Sequence, residues 1–370
     1  MPPIRILVVD DSVVIRKVLC DALNSDADIE VAGTASDGRI ALAKITQLNP
    51  DLITLDVEMP NLSGLQTIAE IRKLHPKLPI IMFSTLTERG ASTTLDALTL
   101  GASDYVTKPS NTGSLEVTMN RIKRELLPKV KALCGHRLSD RSGAIPLTKR
   151  AIVPALRGPR SAARIDVLAI GTSTGGPNAL AEVLSAIPRD FPVPVVIVQH
   201  MPPLFTRMLA ERLNKQSAIA VEEGEPGKTL EPGHAWISPG DHHMIVERRG
   251  TMVQLAINQA PPENSCRPAV DVLFRSVAAV FGPNTLAVVL TGMGSDGVLG
   301  SRAVREAGGR VYVQDEATSV VWGMPGQTAA AGWADSIFPL NAMAGEIDRH
   351  VRASRASPAS VPWMVPSNSG

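Results

Sequence analysis

The sequence predicts an α/β protein of two units in series, each built on a doubly wound, mostly parallel sheet. Three observations carry this expectation. Hydrophobic residues make up 44% of the chain but aromatic ones only 3%. The cores must therefore be assembled from Val, Ile, Leu, Ala and Met, which suits parallel strands covered by helices on both faces. Short β-branched runs then alternate with i, i+3, i+4 apolar periodicity, once in each half of the chain. Between the halves the periodicity lapses, and 370 residues suffice for two domains with separate cores.

In the first half the strand-like runs are 4–9, 30–35, 52–55, 80–83 and 104–106, and the helical stretches are 13–23, 38–47, 64–74, 93–100 and about 113–126. Five β/α alternations in this length predict a parallel sheet. Arg137, Arg141, Arg150, Arg157 and Arg160, among Ser, Gly and the prolines Pro146, Pro154 and Pro159, mark a basic linker. In the second half, strands are expected at 165–170, 193–198, 235–238, 286–290 and 310–313, with helices near 178–186, 206–214, 269–280 and 298–307. Segments 222–230 and 244–257 read as hairpin strands. The resulting division is 1–127, a linker at 128–163, 164–350, and a Ser/Pro-rich tail at 351–370 that contains Trp363 and is disordered by composition.

Composition also excludes function classes. A net charge of +1, from 37 basic and 36 acidic residues, supplies no field for nucleic acid or an anionic membrane. Cys20, Cys134 and Cys266 are odd in number and lack C-x-x-C spacing, which fits a reduced compartment. No apolar run approaches the ~18 residues of a membrane span. The first strand begins at Ile4, leaving no room for a signal peptide. A cytoplasmic monomer without direct membrane insertion is expected.

Asp10 and Asp11 close the first strand, Asp56 closes the third, and Ser84 and Lys108 stand at the ends of the next two. Ligands of open α/β sheets sit at these carboxyl ends. Three converging carboxylates repel one another, and a hard divalent cation relieves that repulsion. Mg²⁺ suits because it keeps several waters and takes only one or two carboxylates. A lysine ammonium and a hydroxyl on the same rim suit an anion carried on an aspartate. Residues alone leave open a plain capping role for Asp10 and Asp11 at the helix that follows. Asp10-Asp11-Ser12, Leu55-Asp56-Val57-Glu58-Met59-Pro60 with Gly64, Ser84-Thr85, and Gly101-Ala102-Ser103-Asp104-Tyr105-Val106-Thr107-Lys108-Pro109 together resemble a response-regulator receiver domain, with its flavodoxin-like (βα)5 fold, over about 4–123. The resemblance implies that Asp56 accepts a phosphoryl group from a histidine kinase. It further implies Mg²⁺ at Asp11, Asp56 and the backbone of Glu58, assisted by Asp10. Ser84 and Tyr105 would form the conformational switch, and Lys108 would pair with the phosphoryl oxygens.

In the second half, Gly171-Thr172-Ser173-Thr174-Gly175-Gly176-Pro177 follows a strand and opens a helix. A serine on such a turn has the layout of an activated nucleophile, which needs a base and an orienting carboxylate. His200 and Asp296 each stand just past another strand's end, so His200 can deprotonate Ser173 while Asp296 holds its tautomer. The order Ser–His–Asp differs from the Ser–Asp–His of α/β-hydrolases. Residues alone leave open an ordinary Gly/Ser turn, a metal site among His234, His242 and His243, and a dinucleotide loop at Gly292-Met293-Gly294-Ser295-Asp296-Gly297 with Asp315 beyond it.

The stretches Ile170 to Pro177, Gln199-His200-Met201-Pro202, Ser238-Pro239-Gly240-Asp241-His242-His243, Arg267 to Phe274 and Leu290 to Gly297 resemble the CheB methylesterase domain over about 164–350. Receiver plus esterase in this order is the architecture of chemotaxis protein-glutamate methylesterases. The resemblance implies a Ser173–His200–Asp296 triad and a substrate of γ-glutamyl methyl esters on chemoreceptors, with deamidation of receptor glutamines as a second activity. Backbone N–H groups near Thr174 and Met293 are expected to form the oxyanion hole. Mg²⁺ serves the receiver, and no cofactor is expected for ester hydrolysis. The unphosphorylated receiver is expected to act as an inhibitory lid. A receiver-controlled scaffold with an inactive second domain is the alternative. A receiver-gated dehydrogenase and a transcription factor are further ones, the last disfavoured by charge.

Overall fold

The computed structural model describes residues 2–108, 115–139 and 163–356. The first unit is an all-parallel sheet of β1 (Ile4–Val9), β2 (Ile29–Ala35), β3 (Leu52–Asp56), β4 (Ile80–Ser84) and β5 (Asp104–Thr107), in the order β2-β1-β3-β4-β5. Its helices are α1 (Val13–Leu23), α2 (Gly38–Leu48), α3 (Gly64–Leu74), α4 (Glu88–Thr99) and α5 (Leu115–Ser139). Every residue of β3 and β4 is buried, as a strand covered on both faces requires. Polar caps start α1 to α4. Ser12 accepts from the Ile15 N–H, and Ser63 forms a capping box with Gln66.

Two elements differ from expectation. Helix α4 starts at Glu88 rather than 93, because Thr87 caps it by accepting from the Gly90 N–H at 3.0 Å, and its first turn carries no apolar stripe. Helix α5 runs through Pro128 to Ser139, past the expected start of the linker at 128. Val130, Leu133 and Cys134 bury against the first unit's core. The rest of that linker, Pro109, Trp363 and the tail from 357 lie outside the described residues.

The second unit contains β6 (Val167–Thr172), β7 (Val195–Gln199), β8 (Ala220–Glu223), β9 (His234–Ile237), a hairpin of β10 (His243–Arg249) and β11 (Met252–Asn258), then β12 (Thr285–Val289), β13 (Arg310–Gln314) and β14 (Ser336–Phe338). Its helices are α6 (Gly176–Ala186), α7 (Pro203–Gln216), α8 (Val270–Phe281), α9 (Val298–Glu306), α10 (Met324–Ala330) and α11 (Leu340–Arg355). The main sheet, in the order β14-β13-β12-β6-β7-β9-β8, is parallel throughout, and antiparallel strand pairing is confined to the hairpin.

The expected α/β class and hairpin are therefore present. The 222–230 segment is not a hairpin strand: β8 is a parallel edge strand, and Thr229 makes only an isolated bridge to Gln254. Helix α11 carries order to Arg355, beyond the expected tail boundary, because Ile347 and Val351 are buried. β6 lies between β7 and β12, with the direction of winding reversing there. That is where an open sheet places its site.

The two units meet along α4, which packs on α6 and α7. Arg207 pairs with Glu88 at 2.6 Å, and Arg212 with Asp96 at 2.7 Å. These exposed pairs contribute little, about 0–1 kcal/mol each. The apolar contact matters more: Leu95, Leu98 and Tyr105 share one buried cluster with Leu180, Phe205 and Leu209. No helix among the described residues is long and apolar enough to cross a membrane.

Candidate functional site

The Ser173 turn is shaped by its glycines. Gly175 adopts φ +79, and a Cβ there would also stand 2.7 Å from Val320. Gly292, from the turn after β12, lies so close that a Cβ would come within 2.9 Å of the Ser173 Cβ. These contacts hold Ser173, at the end of β6, against the loop that carries Asp296. His200 ends β7 on the other side, its N–H donating to the Thr172 carbonyl at 3.2 Å. Gln199 braces the rim by donating from Nε2 to the Ser173 carbonyl at 2.9 Å.

His200 Nε2 lies 2.8 Å from Asp296 Oδ2. An ionised carboxylate accepts only, so this contact fixes the proton on Nε2 and leaves the Nδ1 lone pair as the base when the ring is neutral. Nδ1 faces the Cys266 sulfur at 3.7 Å. Ser173 and His200 line the same cleft, although Ser173 Oγ and the ring are not hydrogen-bonded to one another.

Asp296 is buried and saturated. It accepts from the N–H groups of Val270 (2.7 Å), Asp271 (2.9 Å) and Gly297 (3.0 Å) and from Asn264 Nδ2 (2.9 Å). The first two belong to the N-terminal turn of α8, whose dipole favours an anion. Burial alone pushes its carboxyl up, but His200 and these backbone donors outweigh that and hold it below the ordinary value. For His200, burial presses the ring down, yet Asp296 and Cys266 outweigh it and lift it to about 10.

Asn264, Cys266, Asp271 and Gln199 had no individual role in the sequence reading. Asn264 bridges Asp271 and Asp296, both at 2.9 Å, while Asp271 accepts from Gly297 and Gly300 at the start of α9. The rival histidines are committed elsewhere. His234 stacks on Trp236, His242 Nδ1 meets the Gly240 carbonyl, and His243 bonds Pro261 and Ala269. In the Gly292–Gly297 turn the Gly297 N–H is already taken by Asp271 and Asp296, and a buried carboxylate there repels a pyrophosphate.

The first unit covers part of this site. The Thr174 hydroxyl donates to Asp104 Oδ2 at 2.6 Å, and Lys129 holds the same oxygen at 2.9 Å and the Tyr105 carbonyl at 2.7 Å. The Tyr105 ring stacks on Phe205 of α7 with centroids 4.7 Å apart. Between Asp104, Lys129 and the Ser173–Gly175 turn remains a space of about 20 Å³, room for one water. Beside it opens a cleft of about 710 Å³ lined by Ser173, His200, Cys266 and Met293 on one wall and Tyr105, Arg121 and Lys129 on the other. The Thr174 hydroxyl is thus committed to Asp104. Only its backbone, with that of Met293, remains available for an oxyanion, and neither N–H is engaged in a hydrogen bond among the described residues.

The acidic pocket of the first unit is assembled by β1, β3 and β5. Lys108 Nζ lies 2.7 Å from Asp56 Oδ2 and 3.0 Å from Asp10 Oδ2, an oxygen with no further hydrogen bond. Carboxylate oxygens of Asp10, Asp11 and Asp56 fall within 4.8 Å of one another. An all-oxygen donor set of this kind fits a hard cation such as Mg²⁺. Burial, then the Asp10 charge, pushes the Asp56 carboxyl up to about 6 against the pull of Lys108. The Glu58 N–H donates to Asp56 Oδ1 at 3.4 Å.

Ser84 is fully buried and turned toward α4. It donates to the Gly90 carbonyl at 3.2 Å and accepts from Thr94 Oγ1 at 2.6 Å. It is Thr85 rather than Ser84 that lines the Asp56 cavity.

Comparison with known proteins gives two family matches. Residues 168–347 match the CheB methylesterase family model, and residues 6–120 match the response regulator receiver domain. A protein-glutamate methylesterase/protein-glutamine glutaminase of Trichodesmium erythraeum is 51% identical over 95% of this chain and all of its own length. One of Nocardioides is 51% identical over 98% of this chain and 99% of its own. The CheB methylesterase catalytic domain of Thermotoga maritima is 38% identical, with a TM-score of 0.49, over 50% of this chain and 98% of that one.

Proposed function

Because the chain belongs to the family of protein-glutamate methylesterases/protein-glutamine glutaminases that join a receiver to a CheB domain, we propose that Ser173, His200 and Asp296 carry out its hydrolysis of γ-glutamyl methyl esters on chemoreceptors. The observation behind this reading is the 2.8 Å His200–Asp296 contact at the ends of strands flanking the one that bears Ser173. His200 Nδ1 takes the Ser173 proton as Oγ attacks the ester carbonyl. The oxyanion faces the Thr174 and Met293 N–H groups. The imidazolium returns its proton to departing methanol, or to ammonia when the substrate is glutamine. Water, deprotonated by the same nitrogen, then attacks the Ser173 acyl-enzyme, and the imidazolium gives that proton to the departing Ser173 Oγ as the carboxylate is freed.

In the receiver, Asp56 would take the phosphoryl group from a histidine kinase. Asp11, Asp56 and the Glu58 backbone would hold Mg²⁺, with Asp10 assisting, and the ion would neutralise phosphoryl charge. Lys108 would pair with a phosphoryl oxygen. Ser84 would have to leave Gly90 and Thr94 to reach the same group, and both sit on α4, the helix docked on α6 and α7. Tyr105 would follow by breaking its stack on Phe205. That linkage supports a lid released by phosphorylation.

A catalytically inactive second domain predicts a different result with a serine-directed fluorophosphonate. The phosphodonor-treated chain should become labelled at Ser173 and the Ser173→Ala chain should not. Absence of label in the wild type would favour the scaffold.

The raised His200 also sets the pH dependence. A base works deprotonated, so in chelator-treated protein kcat/KM should climb from neutral toward alkaline pH. Cys266 is one of the groups lifting the ring. Cys266→Ser should therefore move the rising limb to lower pH, and an unmoved limb would reject that assignment.

A further inference from the structure

The catalytic cleft contains a donor pair that the hydrolysis does not require. Cys266 Sγ and His200 Nδ1 are 3.7 Å apart, both half-buried and both on the open cleft. In a tetrahedral zinc site, Zn–S of about 2.3 Å and Zn–N of about 2.0–2.1 Å set sulfur and nitrogen about 3.5–3.6 Å apart. The observed separation is thus already close to that of two ligands sharing one ion. The other ring nitrogen meets the Asp296 carboxylate at 2.8 Å. A second nitrogen held by a carboxylate, with the first free to ligate, is the usual support of a metal-bound histidine. Solvent from the open cleft is available for the remaining positions. Arg267, the cation nearest in sequence, is tied to Asp241 and to the carbonyls of Gln259 and Ala260.

We propose that Cys266 Sγ and His200 Nδ1 form a binding site for a thiophilic divalent cation of the zinc class, distinct from the all-oxygen pocket of the receiver. Binding exchanges the thiol proton for the metal and leaves the cation with a thiolate and a neutral imidazole as ligands. Thiolate and imidazole select zinc over magnesium, whereas the Asp10–Asp11–Asp56 cluster offers only hard oxygens. The ion engages the lone pair that would deprotonate Ser173, so occupancy blocks hydrolysis without touching Asp56. This consequence rests on His200 being the base, while the site itself rests only on the donor geometry.

The test uses the full-length, metal-stripped protein with Mg²⁺ held constant. Co²⁺ should give a thiolate-to-metal charge-transfer band at one equivalent, absent from both Cys266→Ser and Cys266→Ala. Zinc chloride, but not further Mg²⁺, should inhibit methanol release and should protect Cys266 of the wild-type chain from iodoacetamide. Cys266→Ser should raise the half-inhibitory zinc concentration, relative to its own zinc-free rate, by at least about tenfold, the lower bound set by losses of mere supporting groups. A band that persists in the variants, or alkylation of Cys266 unaffected by zinc, overturns the site. A Cys266-dependent band without inhibition overturns His200 Nδ1 as the second ligand if the band is unchanged in His200→Ala, and counts against Nδ1 as the base if that variant loses it.

Discussion

Replacing Ser173 by alanine should lower kcat for receptor demethylation by about 10⁴- to 10⁶-fold, the range spanned by removal of single triad residues, with a nucleophile toward its upper end. The fold should survive. Ser173 is half-buried, and its backbone contacts, donating to the Thr291 carbonyl and accepting from Gly176 and Gln199, do not involve the hydroxyl. Phosphorylation of Asp56 from a small phosphodonor should be unaffected, because that pocket is built from β1, β3 and β5. Deamidation should be lost in step with demethylation, since the proposed acyl-enzyme is common to both. Retained methanol release would reject Ser173 as the nucleophile. A parallel loss of phosphorylation would instead point to misfolding.

Loosening the cover over the active site should have the opposite effect on the unphosphorylated protein. Thr174 reaches across the interface to Asp104, a buried carboxylate also held by Lys129. A hydrogen bond to a charged group contributes about 1.5–3 kcal/mol. At about 1.4 kcal/mol per tenfold, its loss shifts the closed-to-open ratio by roughly 10- to 100-fold. Asp104→Ala should therefore raise basal demethylation by up to that factor and reduce the further gain from phosphorylation. A chain beginning at Arg164 should exceed the unphosphorylated full-length protein as well. Equal or lower activity in both would contradict the lid. Opening at Asp104 alone would not abolish the interface, since the Tyr105–Phe205 stack and the apolar cluster of Leu95 and Leu98 with Leu180 and Leu209 remain.

Much of this architecture can be read from local sequence. β-Branched runs with polar residues at their carboxyl ends mark where Asp10, Asp11, Asp56, Ser173, His200 and Asp296 stand, and the sheet orders bring them into two groups. What escaped reading depends on contacts distant along the chain. Asp104 carries no sign that it will meet Thr174, 70 residues on, across a segment without periodicity. The turn carrying Asn264 and Cys266 reaches His200 and Asp296 only because α8 docks its N-terminus there. Ser84 stands at the strand end where its spacing places it, yet its rotamer serves α4 rather than Asp56. Direction of a short hydroxyl side chain is a tertiary property. Pro128 also masked the length of α5, because a proline ordinarily argues against a continuing helix.

We propose that the charge on Asp56 governs access to Ser173 in another domain. It is tested most directly by methanol release from methylated receptor, with and without a small phosphodonor, using the wild-type and Asp56→Asn full-length chains. Phosphodonor addition should raise the rate in the wild type and leave a low, unchanged rate in Asp56→Asn. An equal rise in both proteins, or none in either, would contradict it.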